Sequence, residues 1–377
     1  MDEEGSLGSS LGPEERKELA FGLLRDWWMA ATQALVDEVG SEVALKHLRP
    51  YFINTGVAGA RNLQKILDVD AEELIRLATS CFFYKLFLGS RELRLFRAKD
   101  GSFIWEFIGC AAGGICEEGC LSLCEITPNA YVGELRQDSE TVLLISLSYG
   151  DPSCQMLIRA KGLGYEVSAS DEFELGAEEM PAPPEDEMNE YLALSVIGEA
   201  WSNATRALID SVGSERALER LRPHMRHSGL SFGIRMSNLH GSRERGLKPI
   251  LEIVELVQIL HQRKGESVAL AGGAKGRVGE CPFSSSPPEI CAQYEAFLNG
   301  VCEAIDPDYE FAYDRMMSRG DADCHWTLTK KGGGADRTET SMEGEEEESL
   351  RILRRRFALG EINEEEYRRS RDVLLER

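Results

Sequence analysis

Cysteines recur at matching intervals in the two halves of the chain. Two trios show the pattern: Cys110, Cys120 and Cys154, spaced by 10 and 34 residues, and Cys281, Cys291 and Cys324, spaced by 10 and 33. A second alignment is possible, because Pro128 and Pro307 require a different offset and would pair Cys124 with Cys302. Thiolates are nucleophiles and soft metal ligands, whereas a buried thiol is only a small apolar group. The repeat therefore indicates either a reactive site or a cysteine-lined core.

The first half of the chain holds the denser cluster, with Cys110, Cys116, Cys120 and Cys124 inside 15 residues. On a helix, the last three share one face, because they are spaced by four. Together with Cys154 they form a candidate site for zinc or part of an iron–sulfur cluster. The spacing matches no standard metal motif, so a redox pair and a cysteine-lined core face stay open as alternatives.

The second half combines cysteine with histidine. Cys324 and His325 are neighbours at the start of a predicted strand, and adjacent residues on a strand point to opposite faces. A cysteine nucleophile needs its base within hydrogen-bond reach. We therefore do not expect these two residues to form a dyad. The Gly-rich segment 271–279 lacks the spacing of a phosphate loop, and a hairpin turn explains it better.

These residues belong to an internal duplication. Residues 28–50 and 201–223 are identical at 15 of 23 positions without a gap. Each block predicts a helix that ends at glycine, Gly40 in the first copy, followed by a second helix that begins with Ser41 as its cap. Pro50 is expected to stop that second helix. The chain is thus predicted to contain two copies of one domain.

After the helices of each copy, polar and apolar residues alternate along the sequence, as is typical of β-strands. A third helix is expected around 70–86 and again around 249–262, followed by hairpins at 93–109 and 266–281. After a further short helix, strands are expected at about 130–149 with 154–161, and at 309–317 with 324–330. The predicted fold class is α+β, with helices packed on a small antiparallel sheet in each copy.

Acidic segments separate the predicted domains. The net charge is −23, and residues 171–190 with 336–348 carry −15 of it. The predicted organisation is as follows: a disordered N-terminus (1–14), repeat domain 1 (15–165), an acidic linker (166–187), repeat domain 2 (188–330), a Gly/Glu linker (331–348) and a helical tail (349–377). Such charge argues against nucleic-acid binding through a broad basic face. With no membrane-length apolar stretch and an acidic start, we expect a cytoplasmic protein that does not bind membranes.

The second copy resembles the L-2-amino-thiazoline-4-carboxylic acid hydrolase family. The matching positions are Cys281-Pro282, Cys291, Asp306-Pro307, Gly320-Asp321, Cys324 and Trp326. The domain also resembles the 4-vinyl reductase type of small-ligand-binding domain. The first copy keeps Cys110, Pro128, Gly150-Asp151 and Cys154 but has Ala111 in place of the proline. The resemblance implies a hydrolase that opens a thiazoline ring, with Cys281, Cys291, Asp321 and Cys324 as candidate catalytic residues.

The tail resembles the short C-terminal domain called SHOCT. The matching positions are Leu353, Phe357, Gly360, Ile362, Glu365, Glu366, Tyr367, Leu374 and Leu375. Two short amphipathic helices are too small to bury a core alone. We expect the tail to associate with another copy, making a homo-oligomer, or with the body of the protein.

Three functions fit these observations. The first is a cytosolic regulatory or sensor protein that binds a small ligand or a metal in cysteine-lined sites. The second is a hydrolase of the thiazoline type. The third is a non-catalytic scaffold whose cysteines fill the core. The first is preferred, because no complete set of nucleophile, acid and base is evident.

The metal hypothesis predicts stoichiometric zinc or iron in protein purified without oxygen. Changing Cys116→Ala together with Cys120→Ala should remove the metal and lower stability, because bound metal stabilises the folded state. Elemental analysis and visible absorbance measure this. If the cysteines are only core residues, the parent protein contains no metal, and the double variant loses about 1–3 kcal/mol per site from cavity formation.

Overall fold

The structure is a computed structural model that describes residues 11–67, 92–97, 103–108, 117–145, 154–161, 176–177, 186–239, 245–270 and 272–331. Met1–Thr329 forms one compact unit, and Lys330–Arg377 forms a second. Within the described ranges, none of the helices combines the length and the apolar character needed to span a bilayer. The α+β fold class is confirmed, with helices packed against two antiparallel sheets.

The elements of the first copy are α1 (Pro13–Val39), α2 (Ser41–Leu67), β1 (Glu92–Arg97), β2 (Phe103–Ile108), α3 (Glu117–Cys120), a π-helix (Leu121–Ile126), α4 (Thr127–Leu135), β3 (Ser139–Ile145), β4 (Cys154–Ala160) and β5 (Gly176–Ala177). Those of the second are α5 (Asp186–Val212), α6 (Ser214–Leu239), α7 (Leu247–Leu260), β6 (Lys264–Leu270), β7 (Gly273–Glu280), α8 (Pro288–Ile305), β8 (Tyr309–Arg315), a 3-10 turn (Met317–Arg319) and β9 (Cys324–Lys330). The predicted order of helices, hairpin, helix and strand pair is therefore present in the second copy.

The two sheets have the same topology. The strand order is β3-β4-β2-β1-β5 in the first copy and β8-β9-β7-β6 in the second. The register also repeats: Phe107 pairs with Cys154 across β2 and β4, and Val278 pairs with Cys324 across β7 and β9. The third cysteine of each trio therefore opens the strand that occupies the same place in its sheet. The prediction that both copies share one fold is confirmed for these elements.

The helix boundaries correct one prediction. Pro50 and Pro223 do not end their helices, because α2 continues to Leu67 and α6 to Leu239. A proline inside a helix removes one backbone hydrogen bond and kinks the helix, but tertiary packing can hold the two halves together. The glycine signal was correct: Gly40 has φ of 80° and separates α1 from α2.

Small residues let one pair of helices cross closely in each copy. A Cβ added to Gly229 on α6 would overlap the carbonyl oxygen of Phe297 on α8, and one on Gly300 would overlap the carbonyl oxygen of Arg226. The first copy repeats the contact, because a Cβ on Gly56 of α2 would overlap the carbonyl oxygen of Thr127 on α4. Backbones approach this closely only where no side chain separates them.

The π-helix accounts for the unequal cysteine spacing. Before it, Cys291 stands 171 positions after Cys120, and after it, Asn299 stands 170 positions after Asn129. The asparagines are structural equivalents, since Thr141 N donates to Asn129 Oδ1 at 3.3 Å and Phe311 N donates to Asn299 Oδ1 at 3.0 Å. A π-helical turn accommodates one inserted residue. The alignment of Cys120 with Cys291 is therefore correct, and the pairing of Cys124 with Cys302 is wrong.

Helix α4 replaces part of a predicted strand. Residues 130–135 belong to α4 rather than to the strand expected from about 130, which begins at Ser139. The apolar side chains Tyr131 and Val132 are buried in the helix packed on α2. An apolar run this short does not distinguish a buried helix from a strand.

The two copies share one hydrophobic core. Trp27 of α1 reaches into the second copy, where its ring centroid lies 4.9 Å from that of Trp201 and 4.9 Å from that of Phe297. Its indole Nε1 donates to Ser228 Oγ at 3.2 Å. In the repeat alignment the position of Trp27 is taken by Ala200 in the second copy. The insertion is thus one-sided.

Several predictions fall on residues outside the described ranges. These are the third helix of the first copy, residues 1–10 of the predicted disordered N-terminus (1–14), most of the acidic linker, the Gly/Glu linker and the tail. The ends of two of these segments are helical instead, since residues 13–14 belong to α1 and residues 186–187 to α5. Within the first linker, Gly176–Ala177 pairs antiparallel with β1. In the second copy the predicted third helix is α7, as expected.

The glycine crossing predicts opposite effects for two similar substitutions. Gly229→Ala should destabilise the protein by about 1–3 kcal/mol, because the added methyl group forces α6 and α8 apart. Gly22→Ala, in the interior of α1 with no atom within 4 Å of the added methyl group, should stabilise it by about 0.5–1 kcal/mol through helix propensity. Thermal and urea unfolding of both variants measure the difference. Equal effects in the two variants would contradict the close contact.

Candidate functional site

A buried arginine lies at the centre of the second copy. Arg263 is separated from the end of α7 by His261 and Gln262 and directly precedes β6, and its backbone N–H donates to the carbonyl of Gln258 at 2.9 Å. The preceding residue, Gln262, has φ of 54°, the left-handed conformation that turns the chain sharply at the end of the helix. The turn directs Arg263 inward, and only 5% of the residue is exposed.

The guanidinium group contacts a thiol and two phenol rings. Its Nε donates to Cys281 Sγ at 3.3 Å, and its Nη1 donates to the Tyr313 hydroxyl at 2.7 Å. The central carbon lies 4.3 Å from the centroid of the Tyr294 ring, an arrangement that gives a cation–π contact. Three elements supply these partners: the end of β7, helix α8 and strand β8. The arginine therefore joins the sheet to the helix.

No carboxylate among the described residues forms an ion pair with Arg263. Burial acts to lower the pKa of Arg263, but the Tyr313 phenol and the Cys281 thiol oppose it and hold the pKa well above its usual value. The group therefore stays charged. A buried cation normally has an anionic partner, because removing a charge from water costs several kcal/mol per ion. The neighbours of Arg263 are instead groups that are neutral in their ordinary forms.

The other two cysteines of the trio lie in the same cluster. Cys291 on α8 and Cys324 at the start of β9 are both buried, and each of them interacts electrostatically with Arg263 and Cys281. Burial raises the pKa of both thiols, although Ser318 Oγ, 3.1 Å from Cys291 Sγ, and the Met317 N–H, 3.3 Å from Cys324 Sγ, oppose it. Both are therefore neutral thiols near pH 7. Cys281 is more exposed than these two thiols, because it is only half-buried.

Asp321, the fourth candidate, has a different place. Its Oδ2 accepts the backbone N–H of Met316 at 2.8 Å, a contact that closes the turn between β8 and β9. The same turn contains Ser318 and Met317, which contact the two buried thiols. Asp321 thus supports the cluster through the backbone. His325 faces the other side of the strand, where its Nε2 lies 3.0 Å from Asp323 Oδ1, as the alternation of β9 predicted.

A neutral histidine, His261, packs against Tyr294. His261 Nδ1 lies 2.9 Å from the Tyr294 hydroxyl, and the ring packs 5.1 Å from Trp27 of the first copy. Burial, assisted by the charge on Arg263, lowers the pKa of His261 to about 3. The ring is therefore uncharged at physiological pH. Its Nε2 is buried and has no hydrogen-bond partner among the described residues.

The first copy repeats the charged and sulfur positions but not the aromatic ones. Arg91 precedes β1 as Arg263 precedes β6, and Cys110, Cys120 and Cys154 align with the second trio. The position of Tyr294 falls within the π-helix, where the offset changes from 171 to 170, so its counterpart is Leu123 or Cys124; the counterpart of Tyr313 is Leu143. One arginine and three cysteines are thus the part that both copies retain.

The predicted metal cluster of the first copy falls mainly outside the described residues. Of its five cysteines, Cys110 and Cys116 lie in undescribed segments, and of Cys120 only the helical backbone is described. Cys124 is half-buried and Cys154 is buried. No group of three or more His, Cys, Asp or Glu residues with metal-binding geometry occurs in the described part of the chain.

Sequence reasoning missed Arg263, Tyr294, Tyr313 and His261. An arginine between a helix and a hairpin suggests an exposed loop residue, and tyrosines at helical or alternating spacing suggest core. One signal was present: the first strand of each hairpin is directly preceded by arginine, as it is by Arg91 in the first copy. A charge retained at the same place in both copies points to a role for it.

The pKa of His261 predicts how stability depends on pH. The folded-state value of about 3 lies below the ordinary value of 6.5, so the unfolded chain binds more protons between these values. Stability from this group is complete above about pH 6.5 and is lost as pH falls towards 3, by up to about 1.4 kcal/mol per pH unit. Urea unfolding from pH 4.5 to 7.5 should show a shallower dependence for His261→Gln. The exposed control, His224→Gln, should keep the parent slope.

In comparisons with protein-family models, with curated proteins and with solved structures, nothing matches this chain. The resemblances of the second copy to the thiazoline hydrolase family and of the tail to the SHOCT domain therefore stay predictions. The likeness between the two copies and the geometry around Arg263 carry the functional proposal below.

Proposed function

We propose that the protein is a small-ligand-binding regulatory protein, and that the second copy binds a small anion through Arg263. The observation that carries the proposal is the buried guanidinium with no carboxylate partner among the described residues. An anionic ligand would supply the missing countercharge. A planar carboxylate suits this role, since a guanidinium can donate two parallel N–H groups to it.

The surroundings of Arg263 fit a ligand of mixed character. The Tyr294 ring covers one face of the guanidinium, and Cys281 and Tyr313, both half-buried, are more exposed than Tyr294. The guanidinium has five N–H donors, and the hydrogen bonds to Cys281 and Tyr313 use two of them. A ligand can therefore bind without displacing either contact.

Regulation suits the described geometry better than catalysis. Cys281 has the guanidinium as its hydrogen-bond partner, and no described histidine or carboxylate lies within hydrogen-bond reach of its sulfur to act as a base. His261 lies beyond Tyr294, and its lowered pKa makes it a poor proton acceptor. The hydrolase remains the second candidate, because Cys281 beside a positive charge is placed as a nucleophile would be. A non-catalytic scaffold would not explain why the charged Arg263 is buried at this place.

The remaining expectations extend this proposal. Cys110, Cys116, Cys120, Cys124 and Cys154 stay the candidate zinc or iron–sulfur ligands of the first copy. The tail is proposed to join copies of the chain into a homo-oligomer. The cysteines of the second copy are thiols, and a reducing compartment keeps them so. We therefore place the protein in the cytoplasm.

A pair of matched probes tests the anion site. 2-Amino-thiazoline-4-carboxylate, which carries a carboxylate, should raise the melting temperature of the full-length protein, whereas its neutral carboxamide should not. Acetate at high concentration should give a smaller shift in the same direction. Binding to the folded state stabilises it according to ligand concentration and affinity. Arg263→Gln should abolish the shift, and Arg277→Gln, at an exposed arginine, should keep it.

The same experiment separates the candidate functions. Ring-opened product that forms with the parent protein and disappears with Cys281→Ser favours the hydrolase. A melting shift without product favours the regulatory protein. No shift with any anion, in a protein whose Arg263→Gln variant melts like the parent, would contradict the anion site.

A further inference from the structure

We propose that Cys281 is a redox-sensing thiol, oxidised by hydroperoxides and then captured by one of the two buried thiols, Cys291 or Cys324. The proposal uses the same cluster as the anion site but does not depend on ligand binding. It gives the three cysteine sulfurs of the cluster, those of Cys281, Cys291 and Cys324, distinct roles. One is the reactive thiol, and the other two are candidates for the resolving thiol.

The surroundings of Cys281 select it among the three. Its sulfur accepts an N–H from the guanidinium of Arg263 at 3.3 Å, whereas Cys291 and Cys324 accept or share hydrogen bonds with neutral groups. It is also the one that solvent reaches, since the other two are 3% and 1% exposed. A neighbouring positive charge and partial exposure are the conditions under which a cysteine reacts with oxidants.

The chemistry balances with a hydroperoxide as the oxidant. The Cys281 thiolate attacks the terminal peroxide oxygen, an S–O bond forms, the O–O bond breaks, and the leaving alkoxide or hydroxide takes a proton from water. Sulfur loses two electrons and the peroxide gains them. The sulfenic acid then reacts with the second thiol: the S–S bond forms, the S–O bond breaks, and the hydroxyl leaves as water with the thiol proton.

Oxidation of Cys281 is expected to change the conformation of the turn between β8 and β9. Ser318 Oγ contacts Cys291 Sγ, and Met317 N donates to Cys324 Sγ, so both buried thiols hold the same 3-10 turn. A disulfide between Cys281 and either buried thiol would change the hydrogen bond between that sulfur and the turn. The turn leads into β9, the strand next to β7 in the sheet. The fold thus offers a way for sulfur chemistry to alter an exposed segment.

The internal duplication supports a chemical role for the sulfurs. The trio and the preceding arginine occur in both copies, while non-aromatic residues take the positions of Tyr294 and Tyr313 in the first. If the cysteines only filled space, they would be expected to vary along with the large residues around them, because a core is constrained by its total volume. Retention of the smaller, chemically active groups is the opposite pattern.

Residue-resolved mass spectrometry of the full-length protein treated with hydrogen peroxide tests the proposal. Cys281 should be oxidised at least about tenfold faster than the buried Cys302, and a disulfide from Cys281 to Cys291 or Cys324 should accumulate. In a Cys291→Ser/Cys324→Ser variant the sulfenic acid should persist and be trapped by dimedone. A thiol reductant should restore the parent protein.

Two controls keep the result interpretable. Cys302→Ser, on the same helix as Cys291 but outside the cluster, should leave the oxidation rate of Cys281 unchanged. Arg263→Gln should slow it about tenfold, and Arg263→Lys should recover part of the rate if the charge is the cause. Should either arginine variant fail to fold, the comparison of Cys281 with Cys302 inside the parent protein still decides.

Cys281 reacting no faster than Cys302, or reacting without any disulfide to the other two, would overturn the proposal. The anion site is tested apart from it, because Cys281→Ser removes the reactive thiol and leaves Arg263 in place. A melting shift with carboxylate in that variant, together with unreactive Cys281 in the parent, would retain the proposed function and discard the redox role.

Discussion

The close crossing of α6 and α8 is the contact on which the second copy depends. Because Gly229 and Gly300 have no side chains, the two helices meet backbone to backbone, and α8 takes one fixed position. From that position it presents Cys291 and Tyr294 to the buried arginine. It also holds β8, since the side-chain amide of Asn299 donates to the Phe311 carbonyl at 2.8 Å and accepts the Phe311 N–H. The sheet and the cysteine cluster are thus both fixed by one helix.

The sequence predicted the repeated architecture well, because its signals are local. Alternating apolar residues marked the hairpins, and the near-identical helix pairs identified the duplication. Two predictions were wrong for the same reason: they were made from local sequence signals, and tertiary packing decided the structure at both places. Pro50 sits inside a helix because Leu48 and Phe52, on either side of it, are buried in the core, and residues 130–135 are helical because Tyr131 and Val132 are buried in that helix. The cysteine offset could not be decided in advance, since a π-helical insertion leaves no pattern in composition.

The candidate site was only half visible in the sequence. Cysteines attract attention because they are rare and chemically distinct, so the trio was found. Arg263 was not, because the sequence does not show that Gln262 turns the chain inward or that the arginine loses contact with water. Asp321 was proposed by resemblance as a catalytic group, and in the structure its carboxylate accepts a backbone N–H in the turn. Burial of charge is a property of the fold, and the most informative residue of the site was therefore found only in the structure.

The one-sided insertion of Trp27 bears on how the duplication has been kept. A gene duplication at first yields two interchangeable halves, either of which can be lost. Once a tryptophan of the first half occupies the interior of the second, against His261 and Phe297, deleting the first half would leave a hole of aromatic size beside His261 and Tyr294. The second half therefore cannot return to a single-domain ancestor by simple excision of the first. Other contacts between the copies, such as the hydrogen bond from Asn203 Nδ2 to Thr55 Oγ1 at 2.8 Å, act in the same direction.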